Sequence, residues 1–85
     1  MPINFNKEPV NEKGQAHGLW ERYFKNGFPD FKGFFCNGKE EGYWEYYYAN
    51  GQLMLKGTFV NGIRIGQWEF YYATGHLASK RFYAN

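Results

Sequence analysis

From Leu19 to the end of the chain, large aromatic or aliphatic residues alternate with charged or polar ones, and short polar dipeptides interrupt the alternation at regular intervals. Trp20-Glu21-Arg22, Trp44-Glu45-Tyr46 and Trp68-Glu69-Phe70 each open such a run, and Asn26-Gly27, Asn50-Gly51 and Thr74-Gly75 each divide one run from the next. Alternation of period two predicts half-buried strands, and no segment carries the three- and four-residue apolar spacing of an amphipathic helix. Asn-Gly between two such runs predicts a hairpin closed by a type I′ turn, because both central residues of that turn need positive φ. The same pattern recurs every 24 residues, with Gly18, Gly42 and Gly66 in register and a tryptophan two residues after each. The units are residues 18–41, 42–65 and 66–85. Between them lie Gly14 to Gly18, Gly38 to Gly42 and Gly62 to Gly66, which are expected to be glycine-bracketed loops. The predicted fold is all-β: a single-layer, twisted antiparallel meander of three stacked β-hairpins with 24-residue repeats, residues 1–13 serving as an N-terminal cap to the array of 14–85.

Counting outward from Asn26-Gly27 pairs Arg22 with Phe31, Glu21 with Lys32 and Trp20 with Gly33. The second unit repeats this as Glu45 with Lys56 and Trp44 with Gly57, and the third as Glu69 with Lys80 and Trp68 with Arg81. An indole lying over its cross-strand glycine explains why glycine is tolerated within a strand. One face then carries Trp20, Arg22, Phe24, Phe31 and Phe35 with their equivalents in the later units. The other carries the Glu and Lys positions with Tyr23, Tyr47, Tyr71, Cys36, Thr58 and Val60. Pro9 falls 24 residues before Gly33 and suits an edge, because it has no N–H to give to a ladder; Pro2 to Val10 is therefore expected to cap one side. The opposite edge, Ser79 to Tyr83, has free backbone groups able to recruit a strand from another chain.

Composition narrows what such an array does. A chain of 85 residues cannot build a thick core, and aromatics at 24% supply buried area that a single layer otherwise lacks. Ten basic residues against eight acidic ones give a net charge of +2, with no block of like charge, so neither nucleic acid nor an anionic membrane is singled out as partner. The lone Cys36 cannot form an internal disulfide, and nothing accompanies His17 or His76 at metal-ligand spacing, so no metal or other cofactor is expected. Glu21, Glu45 and Glu69 each face a lysine and recur with the fold, which is the pattern of a structural pair and not of an acid-base site. The amino-terminal residues lack the basic and apolar regions of a signal peptide, and a cytoplasmic location is expected.

The pattern GxWxxYYxNGxLxxKGxFxNG across Gly42 to Gly62 resembles the MORN (membrane occupation and recognition nexus) repeat, in the variant form of small bacterial and phage antitoxin-like proteins. Arg81 departs from it where Lys-Gly is the rule, and Phe28-Pro29-Asp30 replaces the Gln-Leu pattern. The resemblance implies an elongated array of hairpins with a grooved aromatic face, no catalytic activity, and binding of a partner protein or self-association. The leading expectation is a non-enzymatic interaction module that occupies, and inhibits or neutralises, a partner protein. A second reading is an aromatic-cage binder of choline or glycans, because the Trp, Tyr-Tyr and Asn-Gly run is similar to choline-binding repeats, although those are shorter. A third is a membrane-surface scaffold, for which the charge gives little support.

Candidate binding residues on the aromatic face and its rim are Trp20, Arg22, Phe24, Trp44, Tyr46, Tyr48, Trp68, Phe70 and Tyr72. Candidates in the loops are Lys39, Glu40, Glu41, Ile63, Arg64 and Ile65. The tryptophans are expected to be chiefly structural, leaving tyrosines and loop residues for contact. A homodimer is expected to cover the aromatic face or an open edge.

Overall fold

A computed structural model describes residues 5–84 and contains six strands: β1 (Gly18–Tyr23), β2 (Pro29–Cys36), β3 (Lys39–Tyr47), β4 (Leu53–Val60), β5 (Ile63–Tyr71) and β6 (Leu77–Tyr83). They form one antiparallel sheet in the order β1-β2-β3-β4-β5-β6. Its extents of 37 × 36 × 10 Å leave room for one layer only. The all-β hairpin meander expected from the alternation is therefore the observed fold. Pro2, at the start of the expected cap, and Asn85 lie outside the described residues.

The predicted register holds through most of each hairpin. Trp20 faces Gly33, Glu21 faces Lys32 and Arg22 faces Phe31, and the equivalents in the second and third hairpins match residue for residue. It breaks at the tips, where Tyr23 faces Pro29, Tyr47 faces Leu53 and Tyr71 faces Leu77. The tips are not type I′ turns. The Gly27 N–H donates to the Phe24 carbonyl (3.0 Å) and Gly27 takes φ 92°, while Asn26 keeps a negative φ. This is a longer turn followed by a glycine bulge, which absorbs the one-residue shift. The Asn26 side chain fits this turn: Oδ1 accepts the Phe28 N–H (3.0 Å), and Nδ2 donates to the Ala49 carbonyl of the next hairpin (2.7 Å). Asn50 does the same with Gln52 and Ala73. A side chain used to tie neighbouring tips together does not require the left-handed backbone that a two-residue turn demands.

The two-residue turns with positive φ at both positions lie between the units instead. Asn37-Gly38 (φ 49° and 87°) joins the facing residues Cys36 and Lys39, and Asn61-Gly62 (φ 53° and 80°) joins Val60 and Ile63. The expected loops at Lys39 to Glu41 and Ile63 to Ile65 are consequently the first residues of β3 and β5. These turns also stack on one another, since the Gly38 N–H donates to the Ala16 carbonyl (2.8 Å) and the Gly62 N–H to the Glu40 carbonyl (2.9 Å).

The glycine seats are filled differently from the expectation. Trp20 and Gly33 are paired, but a methyl group placed on Gly33 would overlap the indole of Trp44, from the following hairpin. Gly57 likewise lies beneath Trp68. The pairing of β2 with β3 shows why: it passes from Lys32–Glu45 to Phe34–Glu41, so Gly33 alone opposes Gly42, Tyr43 and Trp44, and the bulge turns the indole back over the glycine. The same shift separates Lys56–Glu69 from Thr58–Ile65. Each indole N–H then finds a backbone acceptor, from Trp44 to Phe34 O (3.2 Å) and from Trp68 to Thr58 O and Ile65 O (3.2 Å each).

Trp44, Phe59 and Trp68 are the buried core, with Phe31, Phe35, Tyr46, Leu55, Phe70 and Tyr83 packed around them. Trp20, Phe35, Trp44, Phe59, Trp68 and Tyr83 form an unbroken edge-to-face series across the sheet, with centroids 4.9 to 6.2 Å apart. That geometry aligns ring edges with ring faces and adds about 0.5 to 1.5 kcal/mol per pair to simple burial. Over Trp20 the N-terminal segment takes the place of a preceding hairpin. Lys7 and Glu21 exchange backbone hydrogen bonds (2.8 and 2.9 Å), Val10 bridges Ala16, and the Trp20 N–H donates to the Pro9 carbonyl (2.8 Å).

If the glycines serve the indoles, Gly57→Ala must displace Trp68 and is expected to cost about 3 kcal/mol or more. Gly66→Ala, where no atom lies within 4 Å of the added methyl but φ is +67°, should cost only about 1 to 2 kcal/mol of backbone strain. Urea denaturation followed by circular dichroism measures both, and equal losses would contradict the seating role.

Candidate binding surfaces

The sheet has two faces with different uses for their side chains. On the aromatic face Trp44 and Trp68 are 2% and 0% exposed, so these two candidate contact residues are core residues, sealed by the rings of neighbouring strands. Trp20, Phe24, Tyr46, Tyr48 and Phe70 are half-buried, whereas Arg22 and Tyr72 are exposed. The Tyr48 hydroxyl donates to the Tyr71 carbonyl (2.7 Å), and the Arg22 Nε lies 3.9 Å from Glu8 Oε2.

Of the residues expected in loops, Glu40 and Arg64 lie on this same face, because they pair with Phe35 and Phe59. The Arg64 guanidinium lies 4.6 Å from the Trp68 ring centre and donates to the Tyr83 hydroxyl (3.1 Å). Its stacking closes the rim over Trp68. Lys39, Glu41, Ile63 and Ile65 pair with Cys36, Phe34, Val60 and Thr58 and lie on the other face.

That other face carries a charged row that crosses the whole sheet. Lys7, Glu21, Lys32, Glu45, Lys56, Glu69 and Lys80 are successive cross-strand partners of alternating sign. Lys7 Nζ lies 3.8 Å from Glu21, and Lys56 Nζ lies 3.4 Å from Glu69. Tyrosines flank the carboxylates and donate to them: Tyr23 to Glu21 (3.1 Å), Tyr43 and Tyr47 to Glu45 (2.9 and 2.6 Å), and Tyr71 to Glu69 (2.7 Å). Each glutamate thus has a lysine opposite it on both neighbouring strands and accepts from at least one hydroxyl.

Beside this row lie Leu19, Phe34, Tyr43, Val60, Ile63 and Phe82, between 41% and 73% exposed. They share the face by pairing, Leu19 with Phe34, Tyr43 with Thr58, Val60 with Ile63 and Phe82 with Gln67. Much of the exposed apolar surface is therefore on the charged face, and of these six residues the sequence candidates include Ile63 alone. Period-two parity applied through the interunit turns was the signal that locates it; placing loops at 39–41 and 63–65 interrupted that count.

Titration follows from these contacts. The Tyr71 hydroxyl, opposed by burial and helped by Lys56 and Lys80, holds the Glu69 carboxyl below its usual range. Burial, reinforced by Glu45, pushes Tyr43 up to about 12 and Tyr47 higher still. Burial also takes Tyr46 to about 12, with Glu40 adding and Arg64 opposing. Among the described residues no group of three or more His, Cys, Asp or Glu is placed to hold a metal ion, and no helix is long and apolar enough to cross a membrane.

An array of hairpins in which Trp44 and Trp68 each rest on the glycine of the previous unit is a repeat protein. A family model described as MORN repeat variant matches residues 40–61 and 64–85, together more than half of the chain, and the chain belongs to that family. MORN repeats are in general protein- or membrane-binding modules, a binding and structural repeat and not an enzymatic one. Searches of curated proteins and of solved structures gave no match. The family match leaves out the first hairpin, yet β1 and β2 pair in the same register as the other two.

Stability should fall at both ends of the pH scale. A carboxyl with a lowered folded pKa, as at Glu69, stabilises above the usual carboxylate range, and that contribution is lost as pH falls through its folded pKa. Tyrosines with raised pKa values favour the folded state fully below about 10, and the advantage disappears as pH rises toward 12, when the unfolded chain ionises first. Thermal melts across pH, read beside tyrosinate absorbance, should show the last part of the tyrosine ionisation coinciding with unfolding. Ionisation of all eight tyrosines completed well below the unfolding transition would contradict this.

Proposed function

We propose that the chain is a non-enzymatic module that binds a partner protein through the charged face of its sheet and inhibits or neutralises that partner by occupying its surface. The observation that carries this reading is the exposed apolar group centred on Phe34 and Tyr43, lying on a flat face and bordered by the alternating Glu–Lys row. Exposed aromatics beside paired charges are the composition of a protein interface, with an apolar centre and a polar rim that sets register. The face also exceeds the ~800 Å² per partner of a standard interface. An aromatic-cage site is less favoured, because Trp44 and Trp68 are covered by neighbouring rings and their N–H groups are engaged by backbone carbonyls. A lipid surface is less favoured because every glutamate of the charged row stands opposite lysines, so this row presents no block of positive charge.

The test is capture of a stoichiometric partner by the tagged chain from its native cells, repeated with the double variant Phe34→Ser, Tyr43→Ser. Both side chains are exposed, so the melting temperature should change by only a few degrees. Affinity for the captured protein should fall at least about tenfold, as for loss of an apolar interface centre. Absence of any stoichiometric protein, or undiminished capture by the double variant, contradicts the reading.

A further inference from the structure

We infer that β6 is a docking edge that accepts an extended segment of the partner protein as a seventh strand, with an acidic residue of that segment opposite Lys80. The inference rests on the reading of the chain as a protein-binding module and adds to it a backbone contact and a partner chemistry.

Three observations lead to it. First, among the described residues β6 pairs only with β5, so one side of its backbone ladder is open, and every residue from Leu77 to Phe82 is exposed. An open strand edge supplies backbone hydrogen bonds to an incoming strand without regard to its sequence. Second, the charged row is unfinished there. Lys32 and Lys56 have a glutamate on each side, whereas Lys80 has Glu69 on one side and solvent on the other. Glu69 is moreover shared with Lys56, at 3.4 Å. A carboxylate on the next strand would continue the alternation that holds at every earlier position.

Third, Arg81 determines what cannot dock. It occupies the repeat position at which Gly33 and Gly57 seat the following indole, and its guanidinium lies 5.1 Å from the centre of the Tyr83 ring. A further unit of the same kind, bringing a bulge and a tryptophan, has no seat. A regular strand with small residues on the aromatic face does. A second copy presenting its own β6 is disfavoured by charge, since antiparallel registers centred on Lys80 or Arg81 set like charges opposite one another. The fitting occupant is therefore an unbulged strand of a partner protein, acidic opposite Lys80 and apolar opposite Phe82, the latter 73% exposed.

The probe is a blocked heptapeptide, Thr-Val-Thr-Glu-Thr-Val-Thr, titrated into the isotope-labelled full chain, beside a peptide with Lys in place of Glu. The inference expects amide shifts and slowed hydrogen exchange concentrated in residues 77–83. It also expects at least tenfold weaker binding of the Lys peptide and loss of that difference at high salt. Lys80→Glu should reverse the preference. Lys80→Gln, which does not place a second carboxylate beside Glu69, should abolish the preference while the chain stays folded. Equal binding of both peptides, shifts outside β6, or no binding at millimolar peptide overturns the inference. So does concentration-dependent protection of β6 with dimer formation, which would assign the edge to a second copy. Because the probe is independent of the cellular partner, failure here with partner capture intact rejects only the edge, whereas loss of partner capture rejects the broader reading.

Discussion

Each hairpin of this protein is held to the one before it by an indole lying on a glycine. Trp44 covers Gly33 and Trp68 covers Gly57, so the tryptophan that a unit contributes lies with its face on its predecessor, while Phe59 and Tyr83 of the returning strands meet it edge to face. In a sheet 10 Å thick there is no second layer to bury a large ring, and the only available cover is lateral. The bulge at each glycine makes the lateral cover possible, the missing Cβ gives the ring its seat, and the edge-to-face Phe and Tyr partners close the sides. Interunit coupling of this kind makes a linear array cooperative, because no hairpin completes its core alone.

The same constraint distributes function over the molecule. Rings used for lateral cover are unavailable to a ligand, so the face richest in aromatics offers little open aromatic surface at Trp44 and Trp68. The charged face is free of that duty. Its Glu–Lys row fixes register and is satisfied by tyrosine hydroxyls, which leaves Leu19, Phe34, Tyr43 and Phe82 standing exposed beside it. The ends of the array are treated differently: Pro9 and Lys7 cover the first hairpin, while Arg81 stands at the last glycine position and, among the described residues, β6 pairs on one side only.

Much of this was legible from residues alone, and the exceptions have physical reasons. The cross-strand pairs Trp20–Gly33, Glu45–Lys56 and Trp68–Arg81 follow from counting, since a period-two alternation and a fixed repeat leave one register that keeps the three tryptophans on one face. The turn types did not follow. Asn-Gly occurs both at the tips and between units, and the tips take the longer bulged turn whether asparagine or Thr74 precedes the glycine. Misplacing the tight turns put Glu40 and Arg64 in loops, although both lie in strands on the aromatic face.

What the sequence by itself determined is the repeat, the strands, the intrahairpin register and membership of a binding-repeat family, because these depend on local periodicity and on the pairing of near neighbours in the chain. What only the tertiary structure decided is which glycine each indole covers, which turns are tight, and which face keeps exposed apolar surface. Those outcomes depend on bulges between strands of different hairpins. A bulge changes the alignment of everything beyond it, and no dipeptide or period within one hairpin records it.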